Sequence, residues 1–407
     1  MNRLIAVAVL LLSVSVACGQ DWPQWKGPHS NNHSLCTGLI DRIPEGGPKL
    51  LWKIDTLGAG YSNLCFFGDR MYTMGDFGDQ SFALALDRKT GKEIWRTPIG
   101  RAGGGGGYNG PCGSPACDGE TVYVMNQFSD FVALDAKEGK IRWQKNTERE
   151  FGGAKMNRWS FAMSPLLDGD KIVIPIGGNG GTLAAFDKSG KLLWRTAELA
   201  DAAAYTSVVP VEIGGVRQYL LLTGQSIVGI SPVDGKILWG ANFPGQTAVC
   251  SDPVLVGDVV MAACSYGVGA VFYRISKDGN NFTAFDFNGD RQLQSHHGGI
   301  IGLGDHFYFL SNNQMTCVEA KTGKVVWSDR SIGKGSAAFA DGKLFLRSER
   351  GDGTLAMIEA TPTGYKELGR FDQPDRSDKN SWTYPLIVDQ RLFLRDQNVL
   401  LCYDVRK

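Results

Sequence analysis

A short motif recurs along this chain and constrains its fold more than any local propensity. Residues 85–95 read Ala-Leu-Asp-Arg-Lys-Thr-Gly-Lys-Glu-Ile-Trp, and altered copies follow at 133–143, 185–194, 229–239 and 317–327. In all five copies the Trp stands four positions after the Gly. Self-similarity of this kind sets the architecture before any single segment is assigned. Each copy reads as a β-hairpin. Small and large apolar residues alternate before the turn. An Asp, Ser or Glu opens the turn and hydrogen-bonds the backbone ahead of it. The Gly supplies the positive φ that such loops need. Trp95, Trp143, Trp194, Trp239 and Trp327 then bring a large flat side chain that can fill the gap between packed sheets.

The intervals between these Trp residues are 48, 51, 45 and 88 residues, the last being two periods with one Trp missing. The long gap holds a degenerate turn ending at Gly279, followed by Phe282 and Phe285. A further degenerate unit ends at Gly364. A period of about 40–50 residues rich in short strands predicts a propeller of four-stranded blades. The chain ends supply one more unit. Leu400-Leu401-Cys402-Tyr403-Asp404 matches the strand before the turn and then stops, while Pro48-Lys49-Leu50-Leu51-Trp52 matches Gly190-Lys191-Leu192-Leu193-Trp194. The expectation is an all-β, eight-bladed β-propeller of four-stranded antiparallel blades over 48–407. Its last blade is closed by an N-terminal strand carrying Trp52, which shields strand edges that would otherwise aggregate.

Residues 1–20 read as a signal peptide, with Arg3 ahead of an unbroken apolar run from Leu4 to Leu12 and small residues after it. The run is too short to span a bilayer. No later segment approaches a transmembrane length, so export to the periplasm or cell envelope is expected. Ser15-Val16-Ala17-Cys18 resembles a lipoprotein cleavage box, which makes Cys18 a lipidation candidate; simple cleavage near it is the alternative. Residues 21–47 form an N-terminal arm outside the repeat, which Trp22 and Trp25 pin against the ring. The 42 basic and 42 acidic residues balance, so there is no electrostatic footprint for nucleic acid.

Of the nine cysteines, Cys317 and Cys402 occupy the repeat position of Ala85 and read as core residues. Cys112 with Cys117, or Cys250 with Cys264, could be oxidised in an exported protein. No linear spacing suggests a metal site. The glycine-rich stretch 101–110 lacks the ending of a phosphate loop and reads as a flexible connection. Residues 286–290 echo half a calcium loop, but Arg291 stands where that loop needs Gly, so calcium is not expected there.

Function is expected where the inner strands begin, around the central channel. Those positions carry Tyr61, Asn63, Trp159, Tyr205, Asp252, His296, His297, Lys334 and Trp382. The set is polar and aromatic. It suits a ligand or a peptide, or simply a hydrated channel mouth. Adjacent residues on a strand face opposite ways, so at most one of His296 and His297 is expected to face the channel.

The repeat Ala-x-Asp-x-x-Thr-Gly-Lys-x-x-Trp resembles that of the pyrroloquinoline quinone (PQQ) family of β-propellers over essentially all of 48–407. The opening Asp21-Trp22-Pro23-Gln24-Trp25-Lys26-Gly27-Pro28 is similar to the start of exported PQQ-like propellers of planctomycetes. The resemblance implies one of two roles. BamB-like members are non-catalytic envelope scaffolds; quinoprotein dehydrogenases oxidise alcohols or sugars with PQQ and calcium. The dehydrogenases carry adjacent cysteines against the PQQ ring, and this chain has no Cys-Cys pair and no haem motif Cys-x-x-Cys-His. Only Asn63 and Asp252 match their calcium ligands in type. The expected role is therefore a monomeric, non-catalytic scaffold that binds an envelope protein, without a cofactor or a metal. PQQ-dependent oxidation, and a funnel that binds a small molecule or glycan, stay as alternatives.

Overall fold

The computed structural model describes residues 21–311 and 313–407. The proposed signal peptide and Cys18 lie outside the described residues. Eight antiparallel sheets follow one another along the chain. They start at Cys65–Phe67, Ala116–Cys117, Leu166–Asp168, Val209–Ile213, Val254–Val256, Ile300–Leu303, Gly335–Ala340 and Leu386–Val388, and these innermost strands belong to blades one to eight in that order. In blades one to seven each strand pairs with the next in sequence. Blade eight takes its outermost strand from Lys49–Ile54, which pairs antiparallel with Val399–Asp404. The eight-bladed β-propeller, closed by an N-terminal strand, is thus as the repeat predicts. Blade seven has a fifth strand, His33–Ser34, added in parallel to its inner edge from the arm.

The structure explains why Gly and Trp recur together. One residue before each repeated Trp the outer strand has a bulge, so that Trp95 faces Ala85, Trp143 faces Ala133 and Trp327 faces Cys317. The extra residue re-aims the ring toward the next blade. Trp52, Trp95, Trp143 and Trp194 lie there over the turn glycine of that blade, whereas Trp239 donates to Gln218 of its own blade at 2.7 Å. A Cβ at Gly91 would come within 2.9 Å of Trp52, and one at Gly235 within 2.4 Å of Trp194. The indole N–H then donates to that turn's backbone: Trp52 to Lys89 at 2.7 Å, Trp95 to Ala136 at 3.1 Å and Trp143 to Lys188 at 2.9 Å. Blade five, which lacks the Trp, uses Asn288. Its amide donates to Thr322 and Gly323 of the blade-six turn, at 3.2 and 3.0 Å. Phe282 and Phe285 take no part in this contact.

Closure of the ring has its own version of the same device. Gly47 (φ +93°) precedes the closing strand, and a Cβ on it would meet Phe371 of blade seven at 2.8 Å. Arg88, in the turn of blade one, makes a two-pronged ion pair with Asp389 of blade eight, at 2.7 and 2.9 Å. The core is divided accordingly. Apolar clusters each span two neighbouring blades, as with Cys65, Tyr72, Val122 and Val132 between blades one and two.

The arm does more than rest against the ring. Trp22 exchanges backbone hydrogen bonds with Phe66 of blade one, Pro23 accepts from Cys117 of blade two, and Gln24 accepts from Leu167 of blade three. Lys26, buried and with φ +59°, reaches Asp252 in the connection to blade five at 2.8 Å. The arm therefore crosses the central channel. Both Trp22 and Trp25 anchor it, as expected, but Trp25 does so inside the channel.

Candidate functional site

The inner strands are preceded by irregular connections, and these carry the residues that the sequence singles out. They converge on a funnel of about 380 Å³. Its wall includes Tyr61, Trp159, Tyr205, His296, His297, Lys334 and Trp382, seven of the nine expected positions. Trp25 of the arm also lines it, packed against Tyr384 with ring centroids 4.9 Å apart. The aromatic groups pack in clusters. Trp382 packs against Tyr61 at 4.6 Å, Tyr108 at 4.7 Å and His297 at 4.2 Å. Trp159 meets Tyr205 edge-on at 6.2 Å.

Asn63 and Asp252 do not line the funnel. Both are buried and committed to structure. Asn63 donates to the Tyr384 carbonyl at 3.2 Å and accepts from the Leu64 N–H at 2.9 Å. One oxygen of Asp252 accepts from the Ser207 N–H at 2.7 Å; the other is held by Trp25 at 2.9 Å and Lys26 at 2.8 Å. A carboxylate already neutralised by a lysine and engaged at both oxygens is a poor ligand for a hard cation. The donors that a calcium-bound PQQ would use are thus spent on the arm and the backbone, and the site does not fit that pair.

His296 and His297 both face the funnel, contrary to the alternation expected of a strand. Residues 291–299 are not in a strand, so the two-residue period does not apply, and the rings lie 3.7 Å apart. Lys334 donates to His296 Nδ1 at 2.5 Å. Since an ammonium can only donate, Nδ1 accepts, and Nε2–H is left to donate to the Tyr266 hydroxyl at 2.9 Å. Glu349 is buried and lies 3.1 Å from Lys334 and 3.7 Å from His297 Nδ1. Burial, then the neighbouring His297 and Lys334, hold His296 down at about 2. Burial also lowers His297. Burial pushes the Glu349 carboxyl up, but His297 and Lys334 outweigh it and hold it at about 2. At neutral pH the cluster contains two neutral imidazoles and one ion pair.

Wall residues absent from the sequence-based set include Trp25, Tyr108, Tyr266, Glu349 and Arg350. Tyr266 and Glu349 follow the second strands of blades five and seven. In an antiparallel blade the end of the second strand lies beside the start of the first, so the strand pattern contains this signal. Part of the glycine-rich stretch lines the funnel, through Gly105 and Tyr108. A Cβ on Gly106 would come within 2.5 Å of the Trp159 indole nitrogen, and Gly105 accepts no side chain against Arg158. All eight described cysteines are free, so neither of the two possible disulfides is present; Cys117, Cys264, Cys317 and Cys402 are buried. The echo of a calcium loop at 286–290 is the end of a strand, Asn281–Asp290, with a bulge at Phe287. The metal question also changes. Cys250, His296 and His297, which no linear spacing connects, present donor atoms all within 4.8 Å of one another.

Comparison with known proteins gives relatives of more than one kind. The family described as outer membrane protein assembly factor BamB matches residues 78–329. A curated protein of that name from Moranella endobia is 23% identical over 310 residues, covering 70% of this chain and 73% of its own length. Among solved structures, a quinohemoprotein alcohol dehydrogenase from Pseudomonas putida superposes with a TM-score of 0.68 at 14% identity, covering 95% of this chain and 80% of that one. BamB from Moraxella catarrhalis gives 0.62 at 14% identity, covering 88% and 99%. At such identities the structural likeness shows the fold alone. Among the described residues, no helix is long and apolar enough to cross a membrane.

Proposed function

The chain belongs to the PQQ-repeat family described as outer membrane protein assembly factor BamB, and on that premise we propose that it is an exported binding propeller whose central funnel takes a small ring-bearing molecule such as a sugar. The observation that carries this is the aromatic wall. Trp159, Tyr205, Tyr61 and Trp382, with Trp25 beneath them, give flat apolar faces for a ring, and Lys334, Asn380 and Ser160 add a few convergent polar groups. Concave sites of this make-up are how proteins hold small ligands. Dehydrogenase chemistry is disfavoured because Asn63 and Asp252 are already engaged.

Titration with oligosaccharides and with PQQ, with and without calcium, tests the reading by Trp fluorescence and calorimetry. Saturable binding is expected, near micromolar or about −8 kcal/mol. It should be insensitive to calcium and at least roughly tenfold weaker in Trp159→Ala. Calcium-dependent binding of PQQ that Asp252→Asn abolishes would overturn it.

The family match favours a second reading, a scaffold for an envelope protein. It would hold if a defined partner bound the wild-type chain and Trp159→Ala alike, since the contact would then lie on outer loops.

A further inference from the structure

The funnel holds a group of side chains that ring stacking does not explain. Cys250 comes from the connection into blade five, and His296 and His297 from the connection into blade six. Their sulfur and nitrogen donors all lie within 4.8 Å of one another. Four-coordinate bonds of about 2.0–2.3 Å separate ligand atoms by about 3.3–3.8 Å, so side-chain rotation of an ångström or so closes the group. A second observation points the same way. His297 Nδ1 is buried and makes no hydrogen bond, its charged neighbour Glu349 standing 3.7 Å away. A buried nitrogen left unpaired is costly and calls for an occupant.

We propose that Cys250, His296 and His297 form a binding site for a thiophilic late first-row metal ion, zinc(II) or its surrogate cobalt(II), with the fourth coordination position open to the funnel. One thiolate and two imidazoles suit this class, whereas calcium and magnesium want oxygen ligands. Three protein ligands with an open position is also the arrangement of reactive sites and not of closed structural ones. The thiol of Cys250 gives up its proton to solvent as the metal–sulfur bond forms, and no redox partner is needed.

The surroundings are prepared for this exchange. To ligate through Nδ1, His296 must release Lys334 while Nε2–H keeps Tyr266, and Lys334 retains Glu349, which it already contacts through both oxygens at 3.2 and 3.1 Å. Glu349 is buried, 3.7 Å from His297, and adds a negative charge next to the site. The proposal is independent of the ring-binding reading, because it is measured with metal alone.

The test uses the purified chain, stripped with chelator under reducing conditions and titrated with cobalt(II) chloride. The expected result is one ion per chain and a thiolate-to-cobalt charge-transfer band that zinc displaces and calcium does not. Cys250→Ser should abolish the band. Cys112→Ser, the other funnel thiol, should leave it intact and serves as the folding control. His297→Ala should weaken binding at least roughly tenfold, and Glu349→Gln by roughly 10–100-fold as the neighbouring charge is lost. Absence of saturable binding by the wild-type chain, or a band that survives in Cys250→Ser, would overturn the proposal.

Discussion

The rim and the funnel of this ring are built by the same blades under opposite constraints. At the rim, Trp52 with Gly91 and Trp143 with Gly190 repeat one solution, in which the indole lies over a glycine of the next blade and reaches one turn carbonyl. In the funnel no one residue recurs at the same place around the ring: Tyr61, Trp159, Tyr205, His296 and Trp382 come from five different connections. Repetition marks what the ring needs in order to close, and its absence marks surface left free for a task.

The largest effect should come from breaking the rim. Gly235 has φ +74° and lies directly under Trp194. Gly235→Val combines backbone strain with a ring clash, and about 3 kcal/mol of stability should be lost in chemical denaturation. Gly257 also has positive φ (+62°) but has nothing near it. Gly257→Ala should cost only about 1 kcal/mol, separating strain from docking. Equal losses at the two sites would refute the docking role.

Next in size is a pH effect confined to the funnel. His296 is held at about 2 against an ordinary value of 6.5, so below pH 6.5 the unfolded chain binds a proton that the folded one refuses. Its contribution is fully present above the unfolded pKa and falls as pH drops below about 6.5, by about 1.4 kcal/mol per pH unit. Denaturation at pH 7 and pH 5 should differ by about 2 kcal/mol from this residue, and His296→Asn should remove that portion. A slope unchanged in the variant would exclude it.

Smaller still is the stability cost of emptying the funnel wall. Trp159→Ala should change stability by less than about 1 kcal/mol while weakening ligand binding, the reverse of Gly235→Val. At the exposed end of the rim, Asp87 accepts from the Lys89 and Thr90 N–H groups at 3.1 and 2.8 Å. Asp87→Ala should cost about 0.5–1 kcal/mol, visible only as a small shift of the denaturation midpoint.

The same contrast decides what could be read from the chain. The Gly-to-Trp offset identified the blades and Pro48–Trp52 the closing strand, because both are periodic and local. Asn288 was hidden, since its role depends on register with Phe272 and not on the motif. Asp252 had the right type for a calcium ligand but is consumed by Lys26, more than two hundred residues earlier in the chain. The approach of Cys250 to His296 and His297 was equally invisible, because it arises from two irregular connections meeting in space. Strand alternation fails for the His pair for the same reason: the chain has no strand at 291–299.

The most direct measurement is calorimetric titration of the wild-type chain and Trp159→Ala with sugar oligomers and PQQ, with and without calcium. Calcium-independent binding of a ring-bearing molecule, lost in the variant at unchanged stability, is the expected result. Binding of PQQ only with calcium, or no binding by the wild-type chain alongside partner capture that ignores Trp159, would contradict the funnel as the functional site.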